Sequence, residues 1–178
     1  MEMVLAGCPE AFEPLVMPYR DAIMALAFRL TRNREDAQEV AQDALLRAYR
    51  YLGRFDTSRS FRNWLFRIAV NEARDKARRT LRERSTIEAA EKEIPRHPSR
   101  ESHPETGEFR SALMKHLSVL TAREREVFVL RDIEGLDVKE TAGALGSSGI
   151  SVRVHLSSAR RKLRDALRNA NPEREVRS

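Results

Sequence analysis

The segment DVKETAGALGSSGISVRVHLSSARRKLRDALR, Asp137 to Arg168, decides how the chain is read. A short apolar-periodic stretch, Val138, Ala142 and Leu145, ends on Leu145-Gly146 and turns through Ser147. The pattern then restarts behind Ser148, a residue type that caps helices. Gly146 accepts the left-handed backbone conformation of such a turn because it has no Cβ to clash. These proportions predict a helix-turn-helix. With Val152 at the centre of the buried face, Leu156, Ala159, Leu163 and Ala166 fall within about 40° of it at about 100° per residue. Arg153, Val154, Ser157, Arg161, Arg164 and Arg168 then point the other way.

That outward face has the form of a recognition helix. Early residues meet base edges, Val154 suits a thymine methyl group, and the later arginines neutralise phosphates, the main source of affinity. A solvated basic helix closing a bundle has the same charge pattern. The turn ahead of it favours the nucleic-acid reading.

Working back from this motif, Leu113, Leu117 and Leu120, then Val127, Leu130 and Ile133, repeat at helical spacing, giving four helices in the second half. Residues 85 to 108 hold Pro95, Pro98, Pro104 and many charges, with little apolar beyond Ile87 and Ile94. Such a stretch cannot bury enough surface to fold alone and reads as an interdomain linker.

Ahead of it, Phe12 to Leu30 is apolar-periodic, with Pro14 and Pro18 tolerated only near a helix start or at a kink. A second helix starts behind Asn33 and runs to Tyr51, with Gly53 as its stop. A loop from Arg54 to Ser60 precedes a third helix, Phe61 to about Arg84. The expectation is an all-α chain of two helical domains: 10–84, a linker 85–108, 109–170, and a tail 171–178.

Composition agrees. Aromatics are only 6% of 178 residues, and the frequent Ala, Leu, Glu and Arg favour helix over strand. A net charge of +6 suits a polyanionic partner. Cys8 is the one cysteine, so no internal disulfide forms, and His97, His103, His116 and His155 are too scattered for zinc. No metal, cofactor or catalytic constellation is expected: phosphate loop, metalloprotease spacing and nucleophile turn are all missing. Glu2, Glu10 and Glu13 stand where a signal peptide needs basic residues, and no apolar run approaches the roughly 20 residues of a membrane span. A soluble, cytoplasmic protein without membrane insertion is expected.

Charge is distributed unevenly. From Arg59 to Arg84 there are nine Arg or Lys against three acids, an excess equal to the net charge of the whole chain. Phe55, Phe61, Trp64 and Phe66 interleave with these cations, an arrangement able to stack on unpaired bases, although Trp64 and Phe61 equally suit a core. Asp36, Glu39 and Asp43 instead share one acidic helix face, which repels DNA and suits a basic protein helix or plain solvent.

These segments resemble a known family. DAQEVAQDALLRAYR, Asp36 to Arg50, resembles the core-polymerase-binding helix of extracytoplasmic-function sigma factors of the sigma-70 family. FRNWLFRIAVNEARDKARR, Phe61 to Arg79, resembles the promoter-melting and minus-ten-reading helix that follows it. LTAREREVFVLRDIEGLDVKETAGALG, Leu120 to Gly146, with SARRKL, Ser158 to Leu163, is similar to the minus-thirty-five domain.

The resemblance implies a non-enzymatic initiation factor with core RNA polymerase and promoter DNA as partners, open to control by an anti-sigma factor, and a linker passing through the polymerase active-site channel. It assigns Asp36, Glu39, Gln42, Asp43 and Leu46 to the polymerase clamp helices. Asp56, Ser58 and Ser60 in the 56–60 loop would receive a flipped base. Arg62, Trp64, Asn71, Arg74, Arg78 and Arg79 would face the minus-ten element. Ser151, Arg153, Val154, Ser157 and Ser158 would face minus-thirty-five bases, while Arg131, Thr141 and Arg161 would hold phosphates.

Ser147, Gly149-Ile150, Val154, Ser157 and Ser158 depart from the family pattern and remove cationic and hydrogen-bonding capacity from the reading face. The second half also resembles a LuxR-type regulator, against which the helical first half argues. A sigma-like decoy that sequesters a regulator is a third reading, against which the basic minus-ten helix argues.

Overall fold

The computed structural model describes residues 9–90 and 115–170, all in helices, turns and coil. The linker from residue 91 onward, Cys8, Leu113 and the tail 171–178 lie outside the described residues. A 3-10 turn (Pro9–Ala11), helix α1 (Phe12–Val16) and a second 3-10 turn (Met17–Tyr19) lead into α2 (Arg20–Thr31). The tightening at Met17–Tyr19 contains Pro18, which removes a backbone donor and breaks the regular helix there.

Helix α3 (Arg34–Tyr51) starts where expected: the Asn33 side chain accepts from the Asp36 amide at 3.0 Å. It ends at Tyr51, as expected, and Gly53 lies within the 3-10 turn that follows, Leu52–Arg54. Helix α4 (Phe61–Ala90) runs six residues past the expected end at Arg84, into the stretch read as linker. Low hydrophobicity prevents a segment from packing, but Ala and Glu still propagate a helix that is already nucleated.

In the second half, α5 (Ala122–Phe128) runs into one π-helical turn (Val129–Ile133), and α6 (Val138–Leu145) and α7 (Gly149–Ala170) form the helix-turn-helix. Thr121 with Glu124, and Asp137 with Glu140, cap α5 and α6 in reciprocal capping boxes. Gly146 has φ 57°, in the left-handed region, and the Ser148 hydroxyl accepts from the Ser151 amide at 3.1 Å.

Ile23 and Leu26 of α2, Val40 and Ala44 of α3, and Leu65, Phe66, Ala69 and Val70 of α4 fill the first core. Leu117, Val127, Leu130, Leu136, Val152, Leu156, Ala159 and Leu163 fill the second. The two are continuous: α4 packs on α6, and α2 touches α5.

Candidate nucleic-acid interface

The outward face of α7 is as the periodicity predicts. Arg153, Val154, Ser157, Arg161, Arg164 and Arg168 are exposed, Ser151 and His155 are half-buried, and Val152, Leu156, Ala159 and Leu163 are buried. Arg153, Arg161 and Arg164 make no ion pair with any described residue. Three side chains assigned to the minus-thirty-five element are placed otherwise. Thr141 is fully buried and its hydroxyl has no partner among the described residues. The Ser158 hydroxyl donates to Glu124 Oε1 at 2.7 Å. Arg131, within the π-helical turn, donates to the Leu136 carbonyl of the loop that follows. In this arrangement the Thr141 hydroxyl is buried, the Ser158 hydroxyl is bonded within the protein, and Arg131 is half-buried.

Glu124 supplies the polar tie between α5 and α7. Besides Ser158 it accepts from Lys162 Nζ at 2.8 Å and, through its capping box, from the Thr121 amide at 2.9 Å. Burial pushes its carboxyl pKa up, but the hydrogen bonds from Lys162, Ser158 and Thr121 outweigh it and bring the value down from 4.5 to about 2. The unfolded chain therefore binds the extra proton between those values. The stability contributed by Glu124 is complete above about pH 4.5 and is lost as pH falls toward 2. Thermal melting followed by circular dichroism should fall across this window in the wild type. The drop should be smaller in Glu124→Gln, and an equal drop in both would remove Glu124 as its source.

The minus-ten candidates lie on α4 and the loop before it. The Asp56 carboxylate accepts from Ser58 Oγ at 2.6 Å, the Ser58 amide at 3.0 Å and Arg59 Nε at 3.0 Å, folding residues 56–60 on themselves. The Ser58 hydroxyl is the main cause of its lowered pKa. Ser60 caps α4, accepting from the Asn63 amide at 3.3 Å. Trp64 is half-buried, its ring 5.1 Å from Phe55 and 5.6 Å from Phe61, so it packs in an aromatic cluster at the edge of the loop. Asn71 is half-buried, and Arg78 is exposed.

The second half covers much of this face with carboxylates. Arg74 donates to Glu126 through Nε at 2.7 Å and Nη2 at 2.6 Å, a bidentate pair, and reaches the Leu145 carbonyl at 3.3 Å. Arg62 meets Glu134 at 2.9 Å, and Arg29 of α2 meets the same carboxylate at 2.5 Å. Asn63 donates to Glu140. Arg125 completes the contact from the other side, donating to the Leu117, Leu120 and Leu30 carbonyls, the last of them in the first half. Burial lowers its pKa to about 10, which leaves it charged at neutral pH.

Sequence reasoning missed Asn63, Glu126, Glu134 and Glu140. The available signal was six acids between Glu124 and Glu140, a concentration out of place in a domain that binds DNA.

The acidic face of α3 lies beside α4. Lys76 bonds Glu39 and lies 3.4 Å from Asp36, while Arg79 lies 3.5 Å from Glu39 and 3.7 Å from Asp43. The Lys76 hydrogen bond holds the Glu39 carboxyl below its ordinary range. Gln42 and Leu46 are exposed, and a cleft of about 320 Å³ lined by Asp43, Leu46, Arg47, Arg50, Tyr51 and Glu72 opens alongside. Among the described residues no group of side chains is arranged to hold a metal ion, and no helix is long and apolar enough to cross a membrane.

Comparison with known proteins agrees with this layout. Residues 15–83 match the family model for Sigma-70 region 2, and residues 110–163 match that for Sigma-70, region 4. RNA polymerase sigma-H factor of Pseudomonas aeruginosa is 31% identical over 176 residues, spanning 94% of this chain and 91% of that protein. ECF RNA polymerase sigma factor SigE of Mycolicibacterium smegmatis is 31% identical over 167 residues, 92% of this chain and 64% of that protein. Among solved structures, that of CnrH in complex with the cytosolic domain of CnrY matches at TM-score 0.68 and 30% identity, covering 96% of this chain and 95% of that one. Two matched regions in the expected order, on a helical frame with an exposed recognition helix, place the chain in the sigma-70 family of RNA polymerase sigma factors, extracytoplasmic-function group.

Proposed function

We propose that this chain is a cytoplasmic transcription initiation factor that binds core RNA polymerase and directs it to promoters, the chemistry of RNA synthesis belonging to the polymerase. Residues 10–84 would dock on the polymerase and read and melt the minus-ten element. Residues 109–170 would read the minus-thirty-five element, with 85–108 joining the two and 171–178 as a tail. The observation that carries this reading is the exposed arginine face of α7, without ion pairs among the described residues at Arg153, Arg161 and Arg164, on a helix-turn-helix joined to a second helical half rich in arginine.

Asp36, Glu39, Gln42, Asp43 and Leu46 would form the polymerase contact. The 56–60 loop would take a flipped base, and Arg62, Trp64, Asn71, Arg74, Arg78 and Arg79 would hold the melted strand. Arg62 and Arg74 are committed to Glu134 and Glu126 in the closed arrangement, so promoter engagement requires the halves to part. Polymerase docking would hold them apart, and an anti-sigma factor is a further candidate partner that would hold them together.

The test is a pull-down with core RNA polymerase followed by transcription from a promoter mapped in cells expressing the chain. No retention on core polymerase would reject the reading. Within it, Asp36→Asn with Asp43→Asn should weaken polymerase affinity about tenfold, because two charges leave a surface selected for electrostatic complementarity. Helical circular dichroism should be unchanged, since half-exposed pairs with Lys76 and Arg79 contribute on the order of 0–1 kcal/mol each. Unchanged polymerase affinity in the folded variant would remove α3 from the interface.

A further inference from the structure

The first two turns of α7 carry an apolar edge. Ile150 is 72% exposed and Val154 is 60% exposed, four residues apart and therefore on one face of the helix. Their outward direction is built in. Gly149 sits so close to α6 that a Cβ there would approach Val138 Cγ1 at 3.2 Å, and Ser148 caps the turn, fixing how α7 starts. Val152, between the two, is fully buried.

Arg153 beside this edge, and Arg161 and Arg164 two and three turns further along the same helix, make no ion pair with any described residue, a charge pattern that suits a polyanion better than an apolar protein surface. Few polar groups remain to read bases beside it. Ser158 is spent on Glu124, Lys162 is paired with the same carboxylate, and Arg160 is held by Asp132. Bidentate reading of guanine or adenine needs Arg, Lys, Asn or Gln, and in the first two turns of α7 only Arg153 qualifies. The one feature of a base edge in the major groove that an aliphatic side chain distinguishes is the C5-methyl group of thymine.

We propose that Ile150 and Val154 are the specificity-determining residues of this recognition helix and that they read thymine C5-methyl groups at neighbouring positions of the upstream promoter element. The inference rests on the sigma-factor reading above and adds to it the chemistry of the bases read. Discrimination at these positions comes from desolvating methyl against methyl and carries no hydrogen-bond pattern. Arg153 and the phosphate-facing arginines set register and affinity.

The experiment uses the full chain assembled with core RNA polymerase on a promoter duplex taken from mapped transcripts. Thymines of the upstream element are replaced singly by deoxyuridine, which deletes the methyl group and leaves every hydrogen-bonding atom in place. Wild-type holoenzyme should lose about fourfold in affinity at each thymine read, the worth of one buried methyl group. Ile150→Ser and Val154→Ser should each become indifferent to deoxyuridine at one position. Val154→Thr, which keeps the branched shape, guards against a folding artefact.

An upstream element whose deoxyuridine forms bind wild-type holoenzyme as well as the thymine forms would overturn the proposal. So would serine variants that lose affinity equally on both DNAs, which would place the edge against protein. Failure of the chain to join core polymerase is seen separately in the pull-down and would reject the sigma-factor reading itself.

Discussion

Replacing Glu126 and Glu134 together by glutamine is expected to open the free chain and raise its affinity for single-stranded minus-ten DNA about a hundredfold. These two carboxylates have side-chain exposures of only 11% and 7% and are met by Arg74, Arg123, Arg62 and Arg29. Removing one partner of a buried ion pair leaves an uncompensated charge and costs about 3–5 kcal/mol when both groups are buried. The arginines are more exposed, 23% for Arg74 and 24% for Arg29, so water recovers part of that loss.

About 1.5 kcal/mol per site is the appropriate scale, and two sites give about 3 kcal/mol, close to two powers of ten in the closed-to-open ratio. The carboxylates hold different arginines apart from the shared contact region, so the single variants should give about tenfold each. Small-angle X-ray scattering should report a larger radius of gyration, and anisotropy of a labelled oligonucleotide should report the gain in binding. An unchanged scattering profile would show that these pairs do not hold the closed arrangement. Raised salt should enlarge the wild-type radius of gyration too, more weakly, because partly buried pairs are screened less than exposed ones; it weakens oligonucleotide binding itself, so scattering is the readout for this arm.

Phe66→Ala should cost about 3–5 kcal/mol of stability, the range for truncating a fully buried aromatic side chain. Phe66 has 0% exposure at the centre of the first core. The Arg62 guanidinium lies over its ring at 4.3 Å, so the same side chain fills the core and supports a minus-ten candidate from below. Chemical denaturation at neutral pH measures the loss. A cost below about 1 kcal/mol would mean that the site collapses around the cavity, contrary to close packing among α2, α3 and α4.

Local features of this fold were legible in the sequence, and features joining distant residues were not. The division of α7 into Val152, Leu156, Ala159 and Leu163 inside and Arg153, Val154, Arg161 and Arg164 outside follows from helical period alone. The caps at Asn33 and Ser148 and the left-handed Gly146 follow from side-chain chemistry within four residues.

By contrast, the Arg74–Glu126 and Arg62–Glu134 pairs join residues 52 and 72 positions apart, and each acid taken alone resembles ordinary surface charge. In the sequence the acidic face of α3 and the basic run of α4 stand apart, whereas in the fold Lys76 and Arg79 lie against Asp36, Glu39 and Asp43 because α3 and α4 pack side by side. Ser158 illustrates the same limit: a hydroxyl on a predicted helix carries no mark of whether its partner is a phosphate or the Glu124 carboxylate on α5.

Trp64 is the single tryptophan of the chain, and it stands next to Asn63, which bonds Glu140 across the junction of the halves, and beside the loop at Asp56 to Ser60. In the proposed reading the indole is a native optical gauge beside both the junction of the halves and the loop that would take a base. Excited at the red edge of its own absorption band, its emission should shift when parting of the halves changes its hydration, and it should be quenched when a nucleobase stacks on the ring. Both steps can be timed in a stopped-flow instrument with the unlabelled chain.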